Sequence, residues 1–225
     1  MDDALSTTSI AIRDRVRGDI LRGALPFGSR LTLDLLAERY SVGHMPVREA
    51  LRQLEGEGLV VLTPNRVARV RAVDLDFVRN IFDLRIAIEA MLARRAAERI
   101  EHAQIARLES LQDEFEMRAR KRDFESLLRL NREFHNVISE AAGNPEATNV
   151  LDRHWLVIAA LWNLYGYGEK RVGGVISDHR QIIDALATHD ADVAACLAMA
   201  HAAKAKQALI ARMVTTQRDA AHAAA

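Results

Sequence analysis

The amino-acid sequence predicts a mostly α-helical protein in two parts: an N-terminal winged helix-turn-helix with a small two-strand wing, and an all-α C-terminal helical bundle. Three observations predict this fold class. Apolar residues recur at helical spacing along most of the 225 residues. Strand-like alternation is confined to one short segment near residues 59–72. The composition, 49% hydrophobic but only 5% aromatic, favours helices. The predicted domains are therefore residues 1–72 and 73–225.

The N-terminal part is predicted to begin with a helix over residues 6–23, which Pro26 and Gly28 bring to an end. Two short helices joined by a tight turn follow. Residues 59–63 and 67–72 then alternate apolar and polar side chains, which predicts the two strands of the wing.

The second short helix has two different faces. Its apolar side chains recur at helical spacing: Val47, Ala50, Leu51 and Leu54. Its polar side chains lie opposite: His44, Arg48, Glu49, Arg52 and Gln53. A short helix that is buried on one side and carries arginines on the other suits insertion into a DNA major groove. A helical hairpin with a solvated charged face fits the same spacing, so spacing alone leaves both interpretations open.

A longer pattern resembles the winged-helix signature of the GntR family of bacterial transcription regulators. Its core is residues 46–51 (PVREAL), followed by Leu54, Glu55 and residues 58–60 (GLV), and residues 25–31 (LPFGSRL) fit upstream. The resemblance implies DNA contacts, and we assign them to five residues: His44, Met45, Arg48, Arg52 and the wing residue Arg66. The sequence departs from the family at residues 43–45, where Ser-Arg-Thr is usual, and at Val67, where glycine is usual.

The C-terminal part carries no strand signal and divides into helical segments. We count six of them, over residues 74–100, 102–121, 123–142, 145–166, 174–187 and 190–217. The clearest breaks are at residues 143–145 (GNP) and at Gly173 and Gly174.

Three histidines interrupt the apolar stripes of these helices. His135, His179 and His201 fall where side chains face inward, and Asn131 lies four residues before His135 on the same helix face. Buried imidazoles need partners, and a shared divalent metal ion would supply one. The alternative is that each histidine bonds separately to a backbone carbonyl or a buried water.

The C-terminal part is also similar to the FCD effector domain of the FadR-type branch of GntR regulators. Metal-binding members share an Asp or Asn, then three residues, then His, with two more histidines on the last two helices. The resemblance implies a divalent metal ligated by Asn131, His135, His179 and His201. Zinc is the preferred candidate, and nickel and manganese remain open. The six-helix count resembles the VanR-like subgroup.

Two further residues are candidates for effector binding. Arg85 lies among apolar residues and should point inward, where a buried guanidinium needs a carboxylate. That carboxylate could belong to a small acid bound at the metal or to Glu89, four residues on. His154 also lies on an inward stripe and could bond a ligand or simply be a satisfied core histidine.

These features predict a ligand-responsive transcription regulator. The resemblance implies a repressor, because repression is the commoner mode of regulation in that family. It would bind a palindromic double-stranded DNA operator as a homodimer and sense a small carboxylate. A metal-dependent helical enzyme with an accessory head is the alternative, although no nucleophile with an evident base partner and no phosphate-binding loop is present.

Charge, hydropathy and cysteine content indicate where the protein is expected to function. The chain carries 31 basic and 31 acidic side chains, so DNA affinity would have to come from local clustering. The N-terminus lacks an apolar run and no segment reaches transmembrane length, so we expect a cytoplasmic protein without membrane contact. The single cysteine, Cys196, is expected to be a small core residue.

Overall fold

The computed structural model describes residues 2–63 and 68–223, and within them the chain forms nine α-helices and three short strands. The N-terminal elements are α1 (Asp2–Leu21), β1 (Arg30–Leu31), α2 (Leu33–Tyr40), α3 (His44–Gly56), β2 (Val60–Leu62) and β3 (Ala68–Val70). The remaining elements are α4 (Leu75–Ala97), α5 (His102–Arg120), α6 (Phe124–Ala142), α7 (Pro145–Tyr165), α8 (Glu169–Ala187) and α9 (Ala191–Ala223). The predicted fold class is confirmed.

The described chain divides into two units. One unit combines Met1–Asp74 with Asp152–Leu164, and we call it the head. The other combines Leu75–Leu151 with Tyr165–Ala225, and we call it the body. Helix α7 therefore contributes residues to both units. The functional division into a DNA-binding domain, residues 1–72, and an effector-binding and dimerisation domain, residues 73–225, stays a prediction.

The helix-turn-helix of the head follows from local signals. Thr32 precedes α2, and its hydroxyl oxygen accepts a hydrogen bond from the Leu35 backbone N–H at 3.2 Å. Ser41 ends α2 in the left-handed conformation, with φ of 56°, which turns the chain toward α3. Helix α1 then packs on α3. Their buried side chains include Ile12, Val16, Ile20, Val47, Ala50, Leu51 and Leu54.

The wing has three strands, whereas the sequence predicted two. Strand β3 lies in the middle and pairs antiparallel with both β1 and β2. The register places Arg30 opposite Arg69 and Val60 opposite Val70. The third strand, β1, is only two residues long, which is too short to show alternation in the sequence.

In the body, α4 packs on α6 and α9, while α5 packs on α6 and α8. Asp123 caps α6 by accepting a hydrogen bond from the Ser126 backbone N–H at 3.2 Å, and Gly143 ends the helix with φ of 60°. The shared apolar core includes Leu92, Ala96, Leu108, Phe134, Val137, Ile182 and Leu186. These contacts fix the helices that carry the inward-facing histidines.

Two expectations for the body were wrong. Gly173 and Gly174 do not separate helices, because α8 begins at Glu169 and runs through both. The break between α7 and α8 lies earlier, at Gly166 and Gly168, whose φ angles of 79° and 69° favour glycine. Cys196 is exposed on α9 rather than buried in the core.

Within the described residues, every helix is too short or too polar to cross a membrane.

Candidate functional site

The exposed side of α3 presents the residues that the sequence assigned to DNA contacts. His44 and Met45 occupy its first turn, and the Met45 side chain is 67% exposed. Arg48 and Arg52 follow at intervals of four residues from His44, so these side chains share one face. Gly43 caps the helix without a side-chain hydrogen bond, which leaves N–H groups of the first turn open to a phosphate oxygen.

Arg66, the fifth residue of this assignment, lies outside the described residues. The role of all five residues in DNA binding stays a prediction.

The three predicted histidines come together inside the body. His135 on α6, His179 on α8 and His201 on α9 each offer a ring nitrogen, and these atoms all lie within 4.8 Å of one another. His179 and His201 are almost fully buried, and the His179 ring stacks on Phe134 with 3.8 Å between ring centroids. Three imidazole nitrogens at this spacing form a cluster that can hold one metal ion.

Hydrogen bonds fix the proton of His179 on the nitrogen that faces away from the cluster. Gln112 donates through Nε2 to Glu116 at 3.1 Å, so its Oε1 faces His179 Nδ1 at 2.9 Å. Because an amide oxygen only accepts, His179 must carry its proton on Nδ1. Nε2 is then a lone-pair atom, and it is buried without a hydrogen-bond partner. That atom is ready to ligate a metal.

His201 also has an outer partner, by which we mean a residue that bonds to the ring nitrogen facing away from the cluster, as Gln112 does for His179. Its Nδ1 lies 3.2 Å from a carboxylate oxygen of Asp178, which is itself buried. Burial opposes ionisation of Asp178, but hydrogen bonds from His201 and Lys204 lower its pKa to about 2. A charged Asp178 holds the His201 proton on Nδ1 and leaves Nε2 for a metal, as carboxylate partners of metal-bound histidines do.

All three imidazoles are neutral near pH 7. Desolvation lowers the pKa of His135 to about 3, although Glu89 opposes the shift. Desolvation, reinforced by the other two histidines and Arg171, holds the pKa of His179 well below 6.5. Desolvation also lowers the pKa of His201, although the hydrogen bond that His201 donates to Asp178 opposes the shift. Metal ligation requires neutral imidazole, so the cluster needs no deprotonation before it binds.

Asn131 offers an oxygen on the same face of α6 as His135. The residue is 9% exposed, and its Oδ1 is buried without a hydrogen-bond partner. Leaving a buried acceptor unsatisfied is costly, so this orphan oxygen is accounted for if it faces a cation. Asn131 therefore fits the predicted ligand set with the three histidines.

Arg85 is buried and already paired with Glu89. Its Nη2 lies 2.6 Å from a Glu89 oxygen, and both side chains are less than 10% exposed. Burial alone would raise the pKa of Glu89, but the positive charge of Arg85 and its hydrogen bond outweigh burial and lower that pKa. The ion pair of Arg85 with Glu89, one of the two partners that the sequence allowed, is therefore present. Arg85 Nη1 remains buried without a hydrogen-bond partner, so one donor is still available to a ligand.

His154 belongs to a different unit from the histidine cluster. It lies on the part of α7 that groups with the head, and it is half-buried there. Its role in effector binding stays a prediction.

Two family models match this chain. Residues 8–70 match the model of bacterial regulatory proteins of the gntR family, and residues 80–204 match the FCD domain. The second match alone covers more than half of the 225 residues. The chain belongs to the GntR family. Its arrangement, a gntR-family region followed by an FCD domain, is that of the FadR type, as its sequence motifs indicated.

Curated relatives of this GntR regulator include repressors. It is 30% identical over 127 residues to the HTH-type transcriptional repressor RspR of Escherichia coli, a match that spans 56% of each chain. It is 29% identical over 184 residues to the HTH-type transcriptional regulator BphR of Paraburkholderia xenovorans, across 79% of this chain and 75% of BphR. The chain thus spans little more than half the length of RspR.

Solved structures share the fold. E. coli McbR/YncC superposes with a TM-score of 0.73 at 21% identity, over 93% of this chain and 98% of that one. A putative GntR regulator from Rhodococcus superposes with a TM-score of 0.71 at 19% identity, over 91% and 98%. The curated relatives named above are HTH-type transcription regulators, and the enzyme that the sequence left as the alternative stays a hypothesis.

Sequence reasoning missed the outer partners of the GntR regulator's histidine cluster. Gln112 interrupts the apolar stripe formed by Ile105, Leu108 and Phe115 on α5, and that interruption was a usable signal. Asp178 directly precedes His179 in the chain, but the sequence does not show that it contacts His201. Both residues contact a histidine of the cluster, so they would orient a metal ligand rather than touch the metal.

Replacing Gln112 with leucine is expected to weaken metal binding by about 10- to 100-fold while all three histidines remain. The substitution removes the acceptor that fixes the proton on His179 Nδ1. Isothermal titration of zinc into chelator-treated protein measures the effect. Gln181→Leu is the matched control, because Gln181 is exposed on α8 and bonds only to Ser177 of its own helix. Equal zinc affinity in both variants would show that Gln112 has no orienting role.

Proposed function

We propose that this regulator is a homodimeric repressor that binds a palindromic operator and senses a small carboxylic acid at a zinc ion. The observation that carries the proposal is a cluster of three histidines in the body, together with unsatisfied buried atoms on the same helices. His179 Nε2 and Asn131 Oδ1 are buried without partners, and His179 lies in contact with two further imidazoles. Nitrogen ligands of this kind suit zinc, and zinc with open positions accepts a carboxylate.

The residues around the cluster have separate roles in this proposal. His135, His179, His201 and Asn131 would hold the ion. Arg85 would donate through its unpartnered Nη1 to the carboxylate of the effector, while Nη2 stays with Glu89. When bound, zinc supplies the positive charge that attracts the carboxylate. Glu89 keeps the surroundings from becoming strongly cationic.

Two observations support a dimer that responds to its effector. Large apolar side chains are exposed on α4 and α9, namely Leu84, Val193 and Met199, as on a surface that a second subunit covers. Helix α7 has residues in both units, and in this proposal it would carry the response to the effector from the body to the head. Effector binding would then change operator affinity by favouring one of two states. The repressor relatives support repression as the mode.

A thermal-shift screen of small carboxylates tests the proposed function. An effector at 100 times its Kd should stabilise the protein by about 2.7 kcal/mol, and a chelator should remove that gain. Binding of the protein to DNA from the promoter region of its own gene is measured in parallel by fluorescence anisotropy. Carboxylates that stabilise equally with and without chelator would show that the acid does not bind through a metal.

Replacing Arg85 with lysine is expected to weaken the effector by about tenfold and leave zinc content unchanged. Lysine keeps the charge that neutralises the buried Glu89, but it loses the planar fork that can serve two carboxylates at once. Titration calorimetry with the screened acid measures the affinity, and metal analysis measures the zinc. Unchanged effector affinity with normal zinc content would remove Arg85 from the effector site.

A further inference from the structure

A strongly basic cavity lies in the body, outside the histidine cluster. It has a volume of about 760 Å³ and lies between the start of α8 and the C-terminal half of α9. Four cationic side chains line it: Lys170, Arg171, Lys204 and Arg212. Gln207 and Thr215 add neutral polar groups on α9. A concave site of this size with convergent polar groups is large enough for a small molecule.

The positive charge of this basic cavity is poorly balanced. Asp178 is the acidic partner of Lys204, at 2.5 Å, and lies 3.6 Å from Arg171. Glu169 pairs instead with Arg122. Lys170 and Arg212 have no ion-pair partner within the part of the chain that the structure describes. Four cations therefore share one carboxylate, which favours an anion in the cavity.

Arg171 is the buried cation of the basic cavity, and one of its hydrogen bonds is not made within the protein. Its side chain is only 7% exposed, yet its Nε is buried without a hydrogen-bond partner. A buried guanidinium with an unmade bond is costly, and a carboxylate or phosphate oxygen would satisfy it. The contact with Asp178 at 3.6 Å is too long to serve as a full hydrogen bond.

The turn before α8 adds to the same arrangement. Gly168 caps α8 with no side-chain hydrogen bond, so N–H groups of its first turn remain available for an anion. A Cβ at Gly168 would collide with the Arg212 guanidinium, so glycine is what lets Arg212 lie against this turn. The φ of 69° at Gly168 also favours glycine.

Asp178 connects the basic cavity to the histidine cluster. One of its oxygens bonds to Lys204 of the cavity, and the other faces His201 Nδ1. We propose that the basic cavity binds a second anionic group of the effector, carboxylate or phosphate, so that the effector is an acid with at least two anionic groups. This inference rests on the proposed function, in which the first carboxylate lies at the metal.

The basic cavity is tested first without metal. Chelator-treated protein is titrated with inorganic phosphate and followed by thermal shift. We expect saturable stabilisation that the double variant Lys170→Gln, Arg212→Gln loses, because both side chains are exposed at the cavity and their loss spares the core. Arg218→Gln, exposed on the same helix, is the matched control and should behave as the wild type. Absence of phosphate stabilisation in the wild type, or its persistence in the double variant, overturns the proposal.

The second test uses zinc-loaded protein and pairs of acids that share a six-carbon chain but differ in charge. The pairs are hexanoate with adipate and gluconate with 6-phosphogluconate. We expect the more highly charged member of at least one pair to bind about tenfold more tightly, the value of one added charge-assisted hydrogen bond. The double variant should lose that preference while the weaker member still binds in a chelator-sensitive manner.

The outcomes separate this proposal from the proposed function. Chelator-sensitive binding with no preference within either pair overturns the second anionic group but leaves the metal-bound acid standing. Phosphate binding without any preference would mean that the basic cavity holds a separate anion, which also overturns the proposal. Loss of all chelator sensitivity, with phosphate binding intact, counts against the proposed function instead.

Discussion

Replacing His135 with alanine is expected to lower zinc affinity by more than about 100-fold and to leave operator binding of the metal-free protein unchanged. The change removes one of three nitrogen ligands, a larger loss than removal of an outer partner, which typically costs about 10- to 100-fold. His135 is half-buried, so its truncation disturbs packing less than truncation of the fully buried His179. Zinc stoichiometry after dialysis and thermal shift with and without chelator measure the effect.

His102→Ala is the matched control for His135→Ala. His102 is exposed at the start of α5 and lies outside the cluster, so its variant should retain zinc. The carboxylate-dependent stabilisation should also disappear in His135→Ala and persist in the control. A His135→Ala protein that binds zinc like the wild type would show that the ion does not bind at the cluster. Loss of operator binding by a folded His135→Ala protein would contradict the division of labour between head and body.

The part of this site that the sequence could predict is the part with a helical period. Asn131 and His135 lie four residues apart on α6, and His179 and His201 interrupt apolar stripes on their own helices. Because each helix must turn its apolar stripe inward, all four polar groups had to enter the same interior. The prediction did not depend on how far apart these helices lie in the sequence, because the apolar stripe of each helix alone indicates which way its polar side chains face.

The outer partners depend on tertiary packing and could not be predicted in the same way. Gln112 reaches His179 across 67 residues of sequence, and Asp178 reaches His201 on the next helix. The interrupted stripe of α5 marks Gln112 as inward-facing, but nothing in the local pattern of α5 or α8 specifies which residue Gln112 or Asp178 contacts. The basic cavity was missed for a related reason: Arg171 and Arg212 are unremarkable charges on two helices until the turn at Gly168 brings them together.

Glycine explains the error in the start of α8. Two adjacent glycines at 173–174 suggested a break, yet a glycine inside a helix costs only about 1 kcal/mol relative to alanine. Packing of Val172, Val175 and Ile182 on neighbouring helices outweighs that cost. Gly166 directly follows the last residue of α7, and Gly168 caps α8. Both adopt positive φ, which the composition of the segment does not reveal.

Replacing Arg48 with alanine is expected to weaken operator binding strongly and leave zinc and effector binding unchanged. Arg48 lies one turn after His44 on the exposed face of α3, where the helix would enter the major groove. An arginine bonded to a base edge is worth about 1–3 kcal/mol, and a dimer would lose it in both half-sites. Operator affinity should therefore fall by about 30-fold or more, measured by fluorescence anisotropy.

The form of the loss tells which DNA group Arg48 contacts. If Arg48 contacts a phosphate, its loss weakens binding to all DNA sequences alike. The slope of log affinity against log salt concentration then falls by about one per half-site. A base contact instead weakens the operator far more than unrelated DNA and relaxes specificity at one position. Arg107→Ala, which removes an exposed arginine of the body paired with Glu140, controls for charge alone. Equal affinities of the Arg48→Ala and Arg107→Ala proteins for the operator would mean that α3 does not read the groove through this residue, whatever the fold resembles.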